Sequence, residues 1–353
     1  MNGFNDVYRG KRILVTGHTG FKGSWLTLWL HELGAEIIGI SLPPNNQLNH
    51  FEQLNLSVDD RRCDIRNFEE IKKIFKETAP DMVFHLAAQP LVRHSYKNPI
   101  ETWSTNVMGT VNILEACKDQ ESVKAIVVVT TDKCYQNQES TLGYHENDPL
   151  GGHDPYSASK ACAEIVAASY RDSFFNQKSI PLLATARAGN VIGGGDWSED
   201  RLIPDIVRAL QSGQCLEVRS PSSTRPWQHV LESLNGYLTL GQKLISGNKS
   251  FAEAWNFGPN SDGNRPVQEV LYKLQTIWAQ LQWKTVDLPQ PHETKLLYLN
   301  NSKAKTKLDW MPIWSIDKAI METARWYQAW MDDAKVISKQ QLIEFIENST
   351  RKT

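Results

Sequence analysis

The chain has almost no net charge. Its 38 Lys and Arg against 40 Asp and Glu leave −2 over 353 residues, so nothing electrostatic supports a nucleic-acid or anionic-membrane partner. Cysteine is scarce: the five thiols at 63, 117, 134, 162 and 215 are scattered, odd in number and never spaced C-x-x-C. That argues against a zinc site or disulfide frame and suits reduced cytosolic thiols, so no metal is expected. No window approaches the ~18 consecutive apolar residues of a membrane span. Met1 to Gly10 is polar and lacks the apolar core of a signal peptide. A cytoplasmic protein with no membrane partner is therefore expected. Internal repeats and low-complexity tracts are also missing.

What remains is a chain able to build a full core, with 41% hydrophobic residues. Its length suits one large domain or two closely connected ones. The 12 tryptophans are read mainly as core and interface packing. Short apolar runs alternate with longer amphipathic stretches as far as residue 190. Strands are predicted at 13–16, 36–40, 82–86, 125–131 and 182–186, and helices at 22–33, 67–77, 156–174 and in a long segment ending near Cys117. This alternation predicts an α/β fold, a Rossmann-like doubly wound parallel sheet. After Asn190 the texture changes, with loops at Gly193-Gly194-Gly195 and Pro204. Residues 1–190 are read as the dinucleotide-binding domain. Residues 191–353 are read as a smaller, interleaved C-terminal substrate-binding lobe. Trp255-Asn256-Phe257-Gly258 reads as a late strand rejoining the sheet. The tail beyond Ala334 is helix-like and receives no role.

Two local patterns carry chemistry. The first is Gly17-His18-Thr19-Gly20-Phe21-Lys22-Gly23, between a buried strand and an apolar helix. Gly17 permits the tight turn, Gly20 lets a pyrophosphate approach the backbone, and Gly23 lets helix and sheet pack closely. The helix N-terminus offers its free N–H groups to the pyrophosphate. The second is Tyr156-Ser157-Ala158-Ser159-Lys160. On a helix, positions i and i+4 share a face, so the ammonium can lie near the phenol and favour the phenolate. Such a tyrosine takes a proton from an alcohol while a hydride leaves the same carbon. Both patterns, with Ala87-Ala88-Gln89 and Thr130-Thr131-Asp132-Lys133, fall where the strands of such a sheet end, and so converge on one crevice.

Together with Asp64-Ile65-Arg66, His85-Leu86-Ala87-Ala88-Gln89, Asn106-Val107-x-Gly109-Thr110 and Lys305–Trp310 with Pro312, these motifs resemble the extended short-chain dehydrogenase/reductase family. Within it, Thr131-Asp132-Lys133 stands where dTDP-glucose 4,6-dehydratases carry Thr-Asp-Glu. That lysine, with Gly151-Gly152-His153-Asp154-Pro155-Tyr156, resembles the branch acting on CDP-glucose. The resemblance implies NAD as cofactor, held by Gly17, Thr19, Gly20, Phe21, Lys22, Gly23, Asp64, Ile65, Leu86, Ala87, Ala88, Gln89, Asn106, Thr130, Tyr156 and Lys160. It implies a CDP-glucose substrate, a 4-keto-6-deoxy product feeding deoxysugar or dideoxysugar synthesis of the O-antigen (lipopolysaccharide) type, and a homodimer joined by two helices per subunit.

By the same resemblance, Tyr156 takes the C4 hydroxyl proton, Lys160 stabilises the phenolate, and Thr131 orients the C4 hydroxyl, with Thr130 as the alternative if the strand end is one residue out of register. Asp132 is the acid for the departing C6 hydroxyl. Lys133 is either the base at C5, in its neutral form, or an electrostatic partner of the enolate. Asn190, Ile203, Pro204, Arg208, Arg219 and Arg225 are implied on the substrate side, with Arg225 the phosphate ligand because its fork binds phosphate bidentately. Asp64 is the adenine contact or a turn residue. The end of the second strand, near Ser41, has no acid for a ribose, yet residues 41–50 contain no Lys or Arg for a 2′-phosphate, and NAD is preferred. Other functions remain open: a sugar-nucleotide 4-epimerase, a dehydratase for another nucleotide-hexose, or a non-catalytic NAD(P)-sensing protein.

Overall fold

Six apolar or edge segments of the first 190 residues and one later segment assemble a seven-stranded sheet. The computed structural model describes residues 4–44, 48–140, 142–176, 181–286 and 296–350. Strands β1 (Arg12–Thr16), β2 (Glu36–Ser41), β3 (Asp59–Arg62), β4 (Met82–His85), β5 (Ala125–Val129) and β6 (Leu182–Ala188) are joined by a last strand, Ala254–Phe257. The order is last strand, β6, β5, β4, β1, β2, β3, and every pairing is parallel. Helices cover both faces, which is why β4 and β5 are buried along their whole length and read as continuous apolar runs. Strand order reverses between β1 and β4, and ligands bind at such a switch point.

Three elements differ from the linear reading. Strand β3 was not expected, because Asp59-Asp60-Arg61-Arg62 has no apolar residue. It pairs only with β2 and stands at the sheet edge, where charge protects an unpaired strand from further pairing. Strand β5 stops at Val129 rather than Thr131, and the chain turns into a short 3₁₀ segment, Asp132–Cys134, where the Thr131 hydroxyl accepts from the Lys133 N–H. The long helix near Cys117 is built from Pro99–Trp103, a π-helical turn at Ser104–Met108, and Gly109–Lys118.

Beyond β6 the chain forms a helix over the crevice, Leu202–Ser212, and a long one, Val230–Ile245, that packs against β5 and β6. The tail has a packing role. Its last helix, Ser338–Thr350, sets Phe345 edge-on against Trp29 of the first helix, Phe21–Glu32. Ser338 also bonds to buried His50 at 2.7 Å. Trp25, Trp29, Trp255, Trp278, Trp310 and Trp326 are fully buried, as core tryptophans should be.

Candidate active site

The glycine turn is shaped by contacts that no larger residue would allow. Gly17 has φ +72°, and a Cβ there would lie 2.8 Å from the Ala87 nitrogen. A Cβ on Gly23 would lie 2.0 Å from the Gly17 carbonyl oxygen. The close approach is held by Thr16, whose hydroxyl accepts from the N–H groups of Leu86 and Ala87 at 3.1 Å. At Gly20, by contrast, a Cβ would meet only the Gly17 oxygen at 3.3 Å, so that face is open. No side chain caps the helix that begins at Phe21. Open space beside uncapped N–H groups fits a dinucleotide pyrophosphate. Ala88 is half-buried nearby. Thr19 donates to Ser41 at 3.0 Å at the adenosine end.

Other residues assigned to the cofactor brace the site. Asn106 is buried and clamps Gln89, accepting from its N–H at 2.8 Å and donating to its carbonyl at 3.1 Å, and it reaches the Ser159 hydroxyl, between Tyr156 and Lys160, at 2.9 Å. Ile65 packs against Gly109. The Asp64 carboxylate turns back onto Arg66, accepting from its backbone and guanidinium, which is the geometry of a turn residue. Arg62 of β3 lies opposite Ser41. It donates to the Ser41 hydroxyl at 3.3 Å and pairs with Asp60 at 2.6 Å. An acid and a base therefore stand together at this strand end, supplied by the strand the linear reading missed.

The Tyr-Lys helix, Pro155–Tyr170, starts where Asp154 accepts from the Ser157 N–H at 2.9 Å, with proline in the first turn. This cap aims Tyr156 at the end of β5. A crevice of about 400 Å³ is lined there by Lys22, Thr130, Thr131, Asp132, Lys133, Tyr156, Asn190, Ile203, Pro204, Arg219 and Arg225, among others. The two threonines have separate tasks. Thr130 donates its hydroxyl to Glu164, two turns beyond Tyr156 on the same helix. Thr131 donates to Asp132 at 2.9 Å and accepts from the Lys133 N–H at 3.3 Å. Arg208 is not among the lining residues. Its guanidinium holds Asp205 at 2.5 Å and the carbonyls of Trp197 and Ser198.

Burial dominates the electrostatics. It pushes Tyr156 up to about 12, while the Thr131 hydroxyl and Arg201 draw it back. It pulls Lys160 down to about 8 against the opposing charge of Glu164. The Lys160 ammonium donates to the Val129 carbonyl at 3.1 Å rather than to the phenol. Lys22 is brought to about 7 by burial and by Arg201. Asp132 is raised by burial against the pull of Lys133 and Lys22. Its Oδ2 is buried without a hydrogen-bond partner.

Arg93 and Arg201 also line this crevice; the sequence marked Arg201 only as one of several positive charges and gave neither residue a site role. Arg201 pairs with Asp196 at 3.1 Å, and Arg93 pairs with Asp200 at 3.0 Å. Neither lies in a recognisable motif, and only the folding of the 196–201 segment over the strand ends brings them in. Among the described residues there is no cluster of three or more His, Cys, Asp or Glu able to hold a metal. No helix among them is long and apolar enough to cross a membrane.

A family model described as GDP-mannose 4,6 dehydratase matches residues 14–323, the stretch that holds the glycine turn, the Tyr-Lys helix and the cationic crevice at the strand ends. The chain belongs to this family. It is 46% identical to the CDP-glucose 4,6-dehydratase of Salmonella typhimurium strain LT2, over 98% of this chain and 99% of that protein. Among solved structures it is similar to the dTDP-glucose 4,6-dehydratase of Bacillus anthracis, determined in complex with NAD. That match has a TM-score of 0.76 and 25% identity, and covers 92% of this chain and 98% of the other. An epimerase of Methanothermobacter thermautotrophicus gives a TM-score of 0.79 at 27% identity, over 93% and 96% of the two chains. The dehydratase family thus shares its fold with epimerases, and the residues of the crevice must separate the two activities.

Proposed function

We propose that this chain is an NAD-dependent CDP-glucose 4,6-dehydratase, giving CDP-4-keto-6-deoxyglucose. The observation that carries the reaction type is Asp132. It is buried, its carboxyl is raised toward the protonated form, and one oxygen is unpaired beside Thr131 and Tyr156. Epimerisation at C4 eliminates nothing and needs no such acid; departure of a C6 hydroxyl does. The near full-length likeness to the Salmonella enzyme supports CDP-glucose as the substrate.

Bound at the glycine turn, NAD would accept hydride from C4 and return it to C6. The chain's own groups do the proton work. Thr131 orients the C4 hydroxyl, and Tyr156 takes its proton once the charges of Lys160 and Arg201 favour the phenolate. Lys133 acts on C5, as base when neutral or, when charged, as partner of the enolate while water takes the C5 proton. Asp132 delivers a proton to the C6 oxygen as water leaves. Asn190, Arg225 and Arg219 line the crevice where the diphosphate would lie, with Arg93 and Arg201 as additional cations, and Ile203 and Pro204, which line it too, would flank the base. Residues 1–190 carry the cofactor and 191–353 mainly the substrate. A homodimer is part of the same reading. Ile100, Trp103 and Met108 on one helix and Ile165 on its neighbour are exposed apolar side chains suited to a second copy.

The test is incubation of the purified protein and NAD with CDP-, dTDP-, UDP- and GDP-hexoses in ordinary water and in D2O. Loss of one water from CDP-glucose, with deuterium gained at C5, is the expected result. An isomer of unchanged mass would mean an epimerase, and no turnover of any donor would remove the catalytic reading.

A further inference from the structure

Lys160 has an unusual burden. Its side chain is buried, and its ammonium has one hydrogen bond, to the neutral Val129 carbonyl. A buried cation so poorly partnered is unfavourable unless an anion stands close. The titratable groups acting with it come from four elements: Glu164 one turn along its own helix, Cys134 past β5, His85 on β4 and Lys22 on the first helix. His85 is neutral, since burial brings it to about 3, and burial also keeps the Cys134 thiol protonated. Lys22 is a like charge. Glu164 is the anion of this set.

Glu164 is itself buried and fully engaged. Its carboxylate accepts from the Thr130 hydroxyl, from the Thr185 hydroxyl at 2.7 Å and from Arg187 at 2.8 Å. Arg187 continues to the Tyr135 hydroxyl at 2.7 Å and the Glu146 carbonyl at 2.9 Å, and Tyr135 donates to Asn256 of the last strand at 2.7 Å. One carboxylate therefore ties the catalytic helix to the end of β5, to β6 and onward to the far edge of the sheet. By taking the Thr130 hydroxyl, it leaves Thr131 as the hydroxyl beside Tyr156.

We propose that Glu164 is a positioning residue: it keeps the Lys160 ammonium charged on the face it shares with Tyr156 and fixes the Thr130–Thr131 register, without touching substrate. Its partner Arg187 moderates that charge. The inference rests on the reading of Tyr156 and Lys160 as the catalytic pair. Removing Glu164 takes away the supporting anion and leaves Arg187 as an unbalanced cation. Removing Arg187 leaves the anion unshared. The two changes thus push Lys160, and through it the Tyr156 phenolate, in opposite directions.

The experiment compares wild type, Glu164→Gln, Arg187→Met and the double variant by the pH dependence of kcat/KM for CDP-glucose. In parallel, phenolate absorbance of each NAD-loaded protein is measured against its Tyr156→Phe counterpart, a readout that needs no turnover. Glu164→Gln is expected to raise the acid limb by about one pH unit, and Arg187→Met to lower it. The double variant should shift upward by less than Glu164→Gln, because Glu164 is the nearer charge. Shifts of the same sign in both single variants, or a loss of rate with an unmoved profile, would overturn the proposal and leave Glu164 a merely structural residue. If a single variant does not fold, the double variant, a kind of change that proteins often tolerate, decides alone: an unmoved phenolate titration overturns the proposal. Failure of the wild type to turn over CDP-glucose, with the phenolate shifts present, would refute the substrate reading and not this one.

Discussion

Tyr156 and Asp132 act at different bonds, so their loss should stop the reaction at different points. Tyr156→Phe removes the proton acceptor at C4, and kcat should fall by about 10²–10⁴-fold with the cofactor left oxidised. Asp132→Asn keeps the shape but cannot release a proton to the C6 oxygen. There the reduced nicotinamide absorbance should persist while the deoxy product fails to form; normal product formation would remove Asp132 from the elimination. Lys22 allows a stability test. Its ammonium is brought to about 7 in the fold, against 10.5 for an ordinary lysine. The folded state therefore binds fewer protons than the unfolded chain between those values, and the resulting penalty grows as pH falls through that window and is complete below 7. Lys22→Met should raise the melting temperature of the ligand-free protein near neutrality and flatten its rise toward alkaline pH. At this scale Tyr156, Asp132 and Lys133 were legible because they stand in short motifs. The separate tasks of Thr130 and Thr131 were not, because only the three-dimensional position of Glu164 decides which hydroxyl turns inward.

Elements were most legible where periodicity was strongest. The apolar runs of β4 and β5 are buried on both faces and admit no other reading. Strand β3 has no such signature, since an edge strand can be wholly charged. With it went the Asp60–Arg62 pair beside Ser41, which linear inspection of residues 41–50 could not find. The glycine turn was read from its spacing together with the strand before it and the helix after it, and its contacts explain why. Gly23→Ala would set a Cβ 2.0 Å from a backbone oxygen that cannot yield. It should destabilise the protein by about 1–3 kcal/mol and abolish NAD binding, measured by denaturant unfolding and by cofactor titration. Retained NAD affinity would mean that the turn does not carry the pyrophosphate.

For the whole molecule, the exposed apolar residues on the helices around Ile100 and Ile165 are where the proposed dimer contact can be tested. Ile100 is 84% exposed, which is a poor arrangement for a lone subunit. Ile100→Asp is expected to shift the sedimentation coefficient from that of a dimer to that of a monomer while leaving the fold intact. An unchanged species would place the contact elsewhere. The sequence by itself determined the strand–turn–helix at the cofactor end, the Tyr-Lys helix and the alternation that makes a parallel sheet, because each is a matter of residues within a few positions of one another. Only the tertiary structure decided which charges meet. Glu164 finds Arg187 and Thr130, Arg201 comes to face Tyr156, and Arg62 reaches Ser41, because strand order and register set those distances. Electrostatic partners far apart in the chain leave no local pattern to read.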